Sequence, residues 1–536
     1  MCRMKLLLVA LALVSVSQYA LAQHDHAQHG KVDFELSCNE GAQAHFNLGL
    51  GLLHHMMYDQ AAAHFAEAAE ADAECAMAHW GTAMTQMHPL WAPPTKAELE
   101  KGREAVERAR TLSAKDEREA AYIAAVGAFF DGDDSRPFPE RLAAWRDGQK
   151  SVREMAPDDL EAGAWYALSL IATAPKDDKT FAQNAKAGKI LEALLEQAPE
   201  HPGLFHYTIH TYDNPVLAEN ALDVARAYDQ LAPEVPHALH MPSHIFVRRG
   251  MWADVISWNR RSADAALAQP VGDVVSMHFP HAMDYLVYAH LQQGEDSAAQ
   301  DALDEMLSVG AVQPNLAAAY GMAAARARYA LERRAWQDAA ALEVRVPEHF
   351  AWEDFPAAEA IIHFARGIGA ARSDNLDVAK EAKQSLKTLH GRLVEAGDAY
   401  WATLVDAQVK SVAAWLALAN GDTDGALALM REAAGVEDSV DKHPVTPSAV
   451  RPARELLGDM LLATGHHDEA IEAYEGSLAT SPGRLNSLYG AGVAAEALGD
   501  DDRATVYFSQ IEEKLANAEA TRGDLSMRDF LSTARP

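Results

Sequence analysis

His206 and His210 stand four residues apart, and His240 and His244 repeat that spacing 34 residues later. On an α-helix, residues i and i+4 share a face, so two neighbouring helices would bring four imidazoles together. His237 lies just ahead of the second pair, Asp213 just after the first, and His281 and Asp284 follow downstream. Imidazole suits zinc, copper, nickel and iron rather than calcium or magnesium. A carboxylate beside it either binds the ion or fixes the tautomer of a ligating ring from behind. The set predicts a transition-metal site drawn from His206, His210, Asp213, His237, His240, His244, His281 and Asp284. Two other readings use the same residues. One is a polar face that recognises a peptide or small ligand, and the other is a set of imidazoles bonding across helices for structure alone.

A repeat positions these residues. Gly458, Ala470 and Tyr474 recur 34 residues later as Gly492, Ala504 and Phe508, and Gly465 and Gly499, each followed closely by Asp, mark turns. Near the start, Gly49, Ala61, Phe65 and Ala68 fit the same register. A 34-residue period with small residues at a helix crossing and an aromatic beyond is the tetratricopeptide pattern. Alanine is abundant and strand-like alternation is scarce. The expectation is an all-α fold, a right-handed α-solenoid of stacked helix-turn-helix repeats.

With Pro233 closing one repeat, His206, His210 and Asp213 fall at positions 5, 9 and 12. His237, His240 and His244 fall at positions 2, 5 and 9 of the next, and His281 and Asp284 at 2 and 5 of the one after. Steps of three and four keep these on one helix face, the face that lines the concave groove in proteins of this type. All are therefore expected to point into one hollow. Pro242 belongs in a first turn, which puts His240 just ahead of a helix. His54 and His88 match at the same spacing, with Met84 and Met87 beside them. That set is either a soft site for copper or methionine core filling.

The chain of 536 residues carries 78 acidic and 46 basic side chains, a formal charge of −32. So acidic a surface repels phosphate backbones, which argues against nucleic acid as a partner. Residues 1–22 read as a signal peptide, with Arg3 and Lys5, an apolar run from Leu6 to Val16, and Ala20-Leu21-Ala22 before the cleavage point. No later stretch is long and apolar enough to span a membrane. The expected location is periplasmic or secreted. Residues 23–37 read as a His-rich mobile segment, 38–310 as repeats carrying the histidines, and 311–536 as further repeats with an inserted loop near 436–450. Such insertions project from one face of a solenoid, and His443 in the loop, with Glu455 after it, could supply acid/base chemistry. After the signal, Cys38 and Cys75 remain, either as a disulfide or as two free buried thiols. Zinc-protease, Walker, nucleophile-elbow and dinucleotide motifs are missing from the sequence.

Several longer stretches resemble one group of bacterial exported tetratricopeptide proteins. They are Ala76–Met84 with His88-Pro89-Leu90-Trp91, His206–Asp213, Pro236–Phe246, His363–Arg366, and Lys442–Pro447 with Pro452–Asp459. The resemblance covers nearly the whole mature chain and implies a repeat scaffold without a particular reaction. Gln86-Met87 departs from the group, which often has Asn directly before the histidine at 88. Two functions follow. The first is an exported scaffold whose groove binds a protein, peptide or small ligand and a transition metal (zinc, copper, iron or nickel). The second is a metal-dependent hydrolase or oxidase in the same groove.

Overall fold

The structure, a computed structural model, describes residues 29–515 apart from 113 and 115. The expected signal peptide, with His24 and His26 after it, lies outside these residues. The fold is all-α, of the α-solenoid class of stacked helix-turn-helix units. Within each unit, successive helices pack on one another in chain order. Among the described residues only isolated bridges, Val271 with Val274 and Val275 with Val312, depart from helix and loop. No described helix is long and apolar enough to cross a membrane.

The chain forms two compact units. One comprises the described residues up to Tyr212 with Asn220–Met241, and the other comprises Asp213–Glu219 with the described residues from Pro242 onward.

The repeat pattern has a direct packing cause. In the first unit a Cβ on Gly81 would sit 2.4 Å from the Phe65 ring, so only glycine lets the two helices close over that aromatic. In the second unit Tyr474 plays the same part, and a Cβ on Gly490 would come within 2.2 Å of its ring. Gly499 closes the helix Leu485–Leu498 with φ +75°, the left-handed conformation that glycine takes at no steric cost.

Cys38 and Cys75 form a disulfide, with Cα atoms 5.2 Å apart, in the first unit. It ties the entry of helix Glu40–His54 to that of Ala76–Met84, closing a separation of 37 residues. Chain-entropy arguments give such a loop about 3–4 kcal/mol. Reduction, or Cys38→Ser with Cys75→Ser, is therefore expected to lower unfolding free energy by about 3 kcal/mol in denaturant titrations. An unchanged midpoint would show that the Asn39 contacts to Ala71 and Asp72 already hold the loop closed.

Two expectations need correction. Residues 31–37, placed in the mobile segment, are packed. Phe34 is buried between Phe46 and Tyr122 with Arg118 over its ring, and the Lys31 amide donates to the Glu200 carbonyl. Alternate residues Val32 and Phe34 are apolar, and an extended chain buries both at once. The inserted loop does not project. Arg328, fully buried, donates to the carbonyls of Ser448 and Ala449 and to Thr446 Oγ1, and Val445, Thr446 and Ser448 are buried.

Candidate functional site

Helix Pro202–Tyr212 starts on a proline, whose missing N–H costs nothing in a first turn. It presents His206 and His210 one turn apart, with ring centroids 4.8 Å from each other. The short helix Pro236–His240 supplies His237, whose ring lies 4.9 Å from that of His206. One ligand atom from each of His206, His210 and His237 falls within 4.8 Å of the others. His240 follows on the same short helix, 5.9 Å ring to ring from His237, and the helix ends before Pro242 as its ring requires. Trp91, from the proline-rich segment after Ala76–Met84, stacks obliquely on His237 at 5.3 Å. These residues all belong to the first unit.

His206 Nδ1 lies 2.6 Å from the carbonyl oxygen of His54, so it donates there and carries the proton. Nε2 is then left as the lone-pair nitrogen, the arrangement by which a backbone carbonyl orients a metal-ligating imidazole. The expected open groove face is instead interior, since His206, His210 and His237 are 0%, 8% and 1% exposed.

His54 itself is spoken for. Its Nε2 donates to Glu161 and its Nδ1 accepts from the Tyr207 hydroxyl, each at 2.9 Å, while its ring stacks on Trp165. His201 donates to the second oxygen of Glu161 at 2.8 Å. Burial pushes the Glu161 carboxyl up, but His54 and His201 outweigh it and hold the group well below the usual range. Burial in turn lowers His54. His88 instead packs edge-on against Tyr58 and faces Glu98. The two residues expected to share a copper site thus have different partners. Glu161 and His201 carry no motif that would have singled them out.

In the second unit, His244 on helix Pro242–Arg248 has its Nδ1 2.8 Å from Asp213 Oδ2. Asp213 also accepts from Lys442 Nζ at 2.7 Å and Arg248 Nε at 2.9 Å, and Arg248 reaches on to Asp441. Burial raises the Asp213 carboxyl, yet Lys442, Arg248 and His244 hold it well below its ordinary value. Asp213 therefore orients His244 from behind. His281, on helix His278–Gln292, offers a ligand atom within 4.8 Å of one on His244. Burial, with His244, His278 and His443 close by, pushes His281 well below its ordinary value.

Three other expected site residues have partners within the second unit. Asp284 accepts from Arg328 Nε at 2.9 Å, both side chains fully buried. Glu455 is held by both Arg484 and Arg451, which outweigh burial and keep its carboxyl below the usual range. His443 Nδ1 accepts the Val445 amide, and its ring packs on Trp401 and Tyr400.

A family described as Tetratricopeptide repeat matches residues 411–484 and 455–519. The helical pairs over these residues are similar to tetratricopeptide repeats. No curated protein sequence matches the chain significantly. Among solved structures it is similar to a chain of the APC/C hetero-tetramer Cut9–Hcn1, at 12% identity over 91% of this chain and 76% of that one, with a TM-score of 0.40. It is also similar to the human IFIT1 dimer with m7Gppp-AAAA, at 11% identity over 92% and 99% with a TM-score of 0.35. Yeast Tom70 matches at 13% identity over 92% and 95%, with a TM-score of 0.27. Scores this low carry no functional inference.

Proposed function

We propose that this chain is an exported tetratricopeptide-type scaffold that holds a transition metal between His206, His210 and His237. The observation that carries the reading is the convergence of three buried imidazoles within 4.8 Å. Nitrogens on a tetrahedral zinc at 2.0–2.1 Å lie about 3.4 Å apart, which small side-chain rotations would reach. Three imidazoles leave one coordination position for an outside ligand, and zinc, copper, nickel and iron all accept this donor set. The signal-like residues 1–22 and the Cys38–Cys75 disulfide support export. The repeats matched at 411–519 support a protein or peptide partner, since stacked repeats present extended binding surfaces.

The test is elemental analysis of the mature protein after reconstitution with zinc, copper, nickel or iron and removal of loosely held ion. His206→Ala and His237→Ala are each expected to lose one equivalent that His390→Ala retains. A folded wild-type protein that takes up no ion, or variants that keep the full complement, would sink the reading.

A further inference from the structure

We propose a second transition-metal site in the second unit, with His244 and His281 as its imidazole ligands and Asp213 as the carboxylate that orients His244. It is independent of the three-histidine site, and the two can fail separately.

The geometry rests on three features of this unit. His244 and His281 come from different helices, Pro242–Arg248 and His278–Gln292, and bring ligand atoms within 4.8 Å. Such convergence of two buried rings, 1% and 3% exposed, is not a surface coincidence. Second, Asp213 takes the Nδ1 proton of His244 at 2.8 Å, so Nε2 is the nitrogen presented. A carboxylate behind an imidazole in this way raises its basicity and fixes its tautomer, as in many metal centres. Third, the charges behind the site cancel. Lys442 and Arg248 are matched by Asp213 and Asp441, so no uncompensated cation opposes a bound metal. Tyr285 stands beside both rings, at 5.8 Å from His244 and 5.5 Å from His281, and walls the site with an aromatic face.

Two imidazoles select for copper, zinc, nickel or iron over hard cations. Two protein nitrogens alone leave coordination positions for outside ligands, which makes this the more exchangeable of the two sites. The inserted loop contributes through Lys442 alone among its charged side chains that reach Asp213 directly in the described residues. The stretch Lys442-His443-Pro444 is thereby tied to the centre from behind.

The probes are zinc and copper, added singly to the full-length mature protein and counted by elemental analysis after passage over a weak chelator. Wild type is expected to hold two equivalents. The triple variant His206→Ala, His210→Ala, His237→Ala is expected to hold one. Adding His244→Gln or His281→Gln to the triple variant should remove the last. Asp213→Asn, tested in the triple background, should weaken the remaining ion about tenfold or more while leaving its stoichiometry at saturation. Should the triple variant misfold, electron paramagnetic resonance of copper-loaded wild type at one and two equivalents gives the same answer through two distinct nitrogen-coupled spectra. One equivalent in wild type and none in the triple variant overturns the second site and leaves the first standing. One equivalent in both, lost with His244→Gln, supports the second site and removes the first. No bound ion in any form overturns both.

Discussion

An Arg484→Met chain is expected to lose about 5 kcal/mol of unfolding free energy, enough to leave little folded protein at 37 °C. Arg484 is completely buried and joins two carboxylates of the second unit. Its Nε and Nη2 reach the two oxygens of Glu455 at 2.9 Å each, and Nη2 also reaches Glu332 at 2.6 Å. Nη1 donates to the Tyr288 hydroxyl at 3.1 Å. Methionine keeps most of the stem's packing, so the loss is electrostatic. The two carboxylates do not suffer equally. Glu455 retains Arg451 at 3.1 Å and the Ser487 hydroxyl, whereas Glu332 keeps the Asn486 amide at 2.8 Å and a weaker attraction to Arg451. Replacing a whole buried ion pair by neutral groups costs far less than removing one partner. Arg484→Met with Glu332→Gln should therefore recover about half of the loss, and Arg484→Met with Glu455→Gln less. Urea denaturation of the three variants checks this, and equal recovery by the two second changes would refute the assigned asymmetry.

That network marks where sequence reading ends. The 34-residue period was visible because close approach of two helices demands glycine wherever Phe65 or Tyr474 fills the crossing. His206 and His210 were legible for the same kind of reason, since a regular helix puts residues four apart on one face. His237 could be added from its place in the repeat. Glu332, Glu455 and Arg484 could not be linked, because pairs 152 and 29 residues apart meet only through folding. Glu455 stands out in the sequence as an acid beside a conspicuous loop, and the fold pairs it with Arg484 and Arg451. Burial was also hidden. A groove position and an interior position have the same helical phase, and only packed neighbours distinguish them. Asp213 was found as a neighbour of His210, while its bond to His244, 31 residues on, was not.

Acidification from pH 7 to pH 4 is expected to destabilise the metal-free protein steeply. Burial lowers His54, His55, His244, His278 and His281 below the ordinary imidazole value, His278 to about 4. A group lowered on folding binds fewer protons in the native than in the unfolded state. Its stabilisation is present above pH 6.5 and is lost as pH falls through the folded value. For His278, 4% exposed, the loss amounts to about 3 kcal/mol across that window. Four buried or half-buried carboxyls run the other way, Asp159, Asp284, Asp398 and Glu437. Burial raises Glu437 to about 7 and Asp284 to about 6, so their contribution is present below the unfolded carboxyl value and is lost as pH rises through these values. With His79 and His88 also lowered by burial, seven histidines act against four acids, and the expected net slope is a fall in stability with acid. Thermal melts in a chelator at pH 7.5, 6.5, 5.5 and 4.5 should show the midpoint dropping most below pH 6.5. Glu437→Gln removes one opposing group. It should steepen the acid-side fall and stabilise the protein at pH 8 relative to wild type by at most about 3 kcal/mol. A midpoint that stays level from pH 7.5 to 4.5 in wild type would mean these histidines are not buried in neutral form.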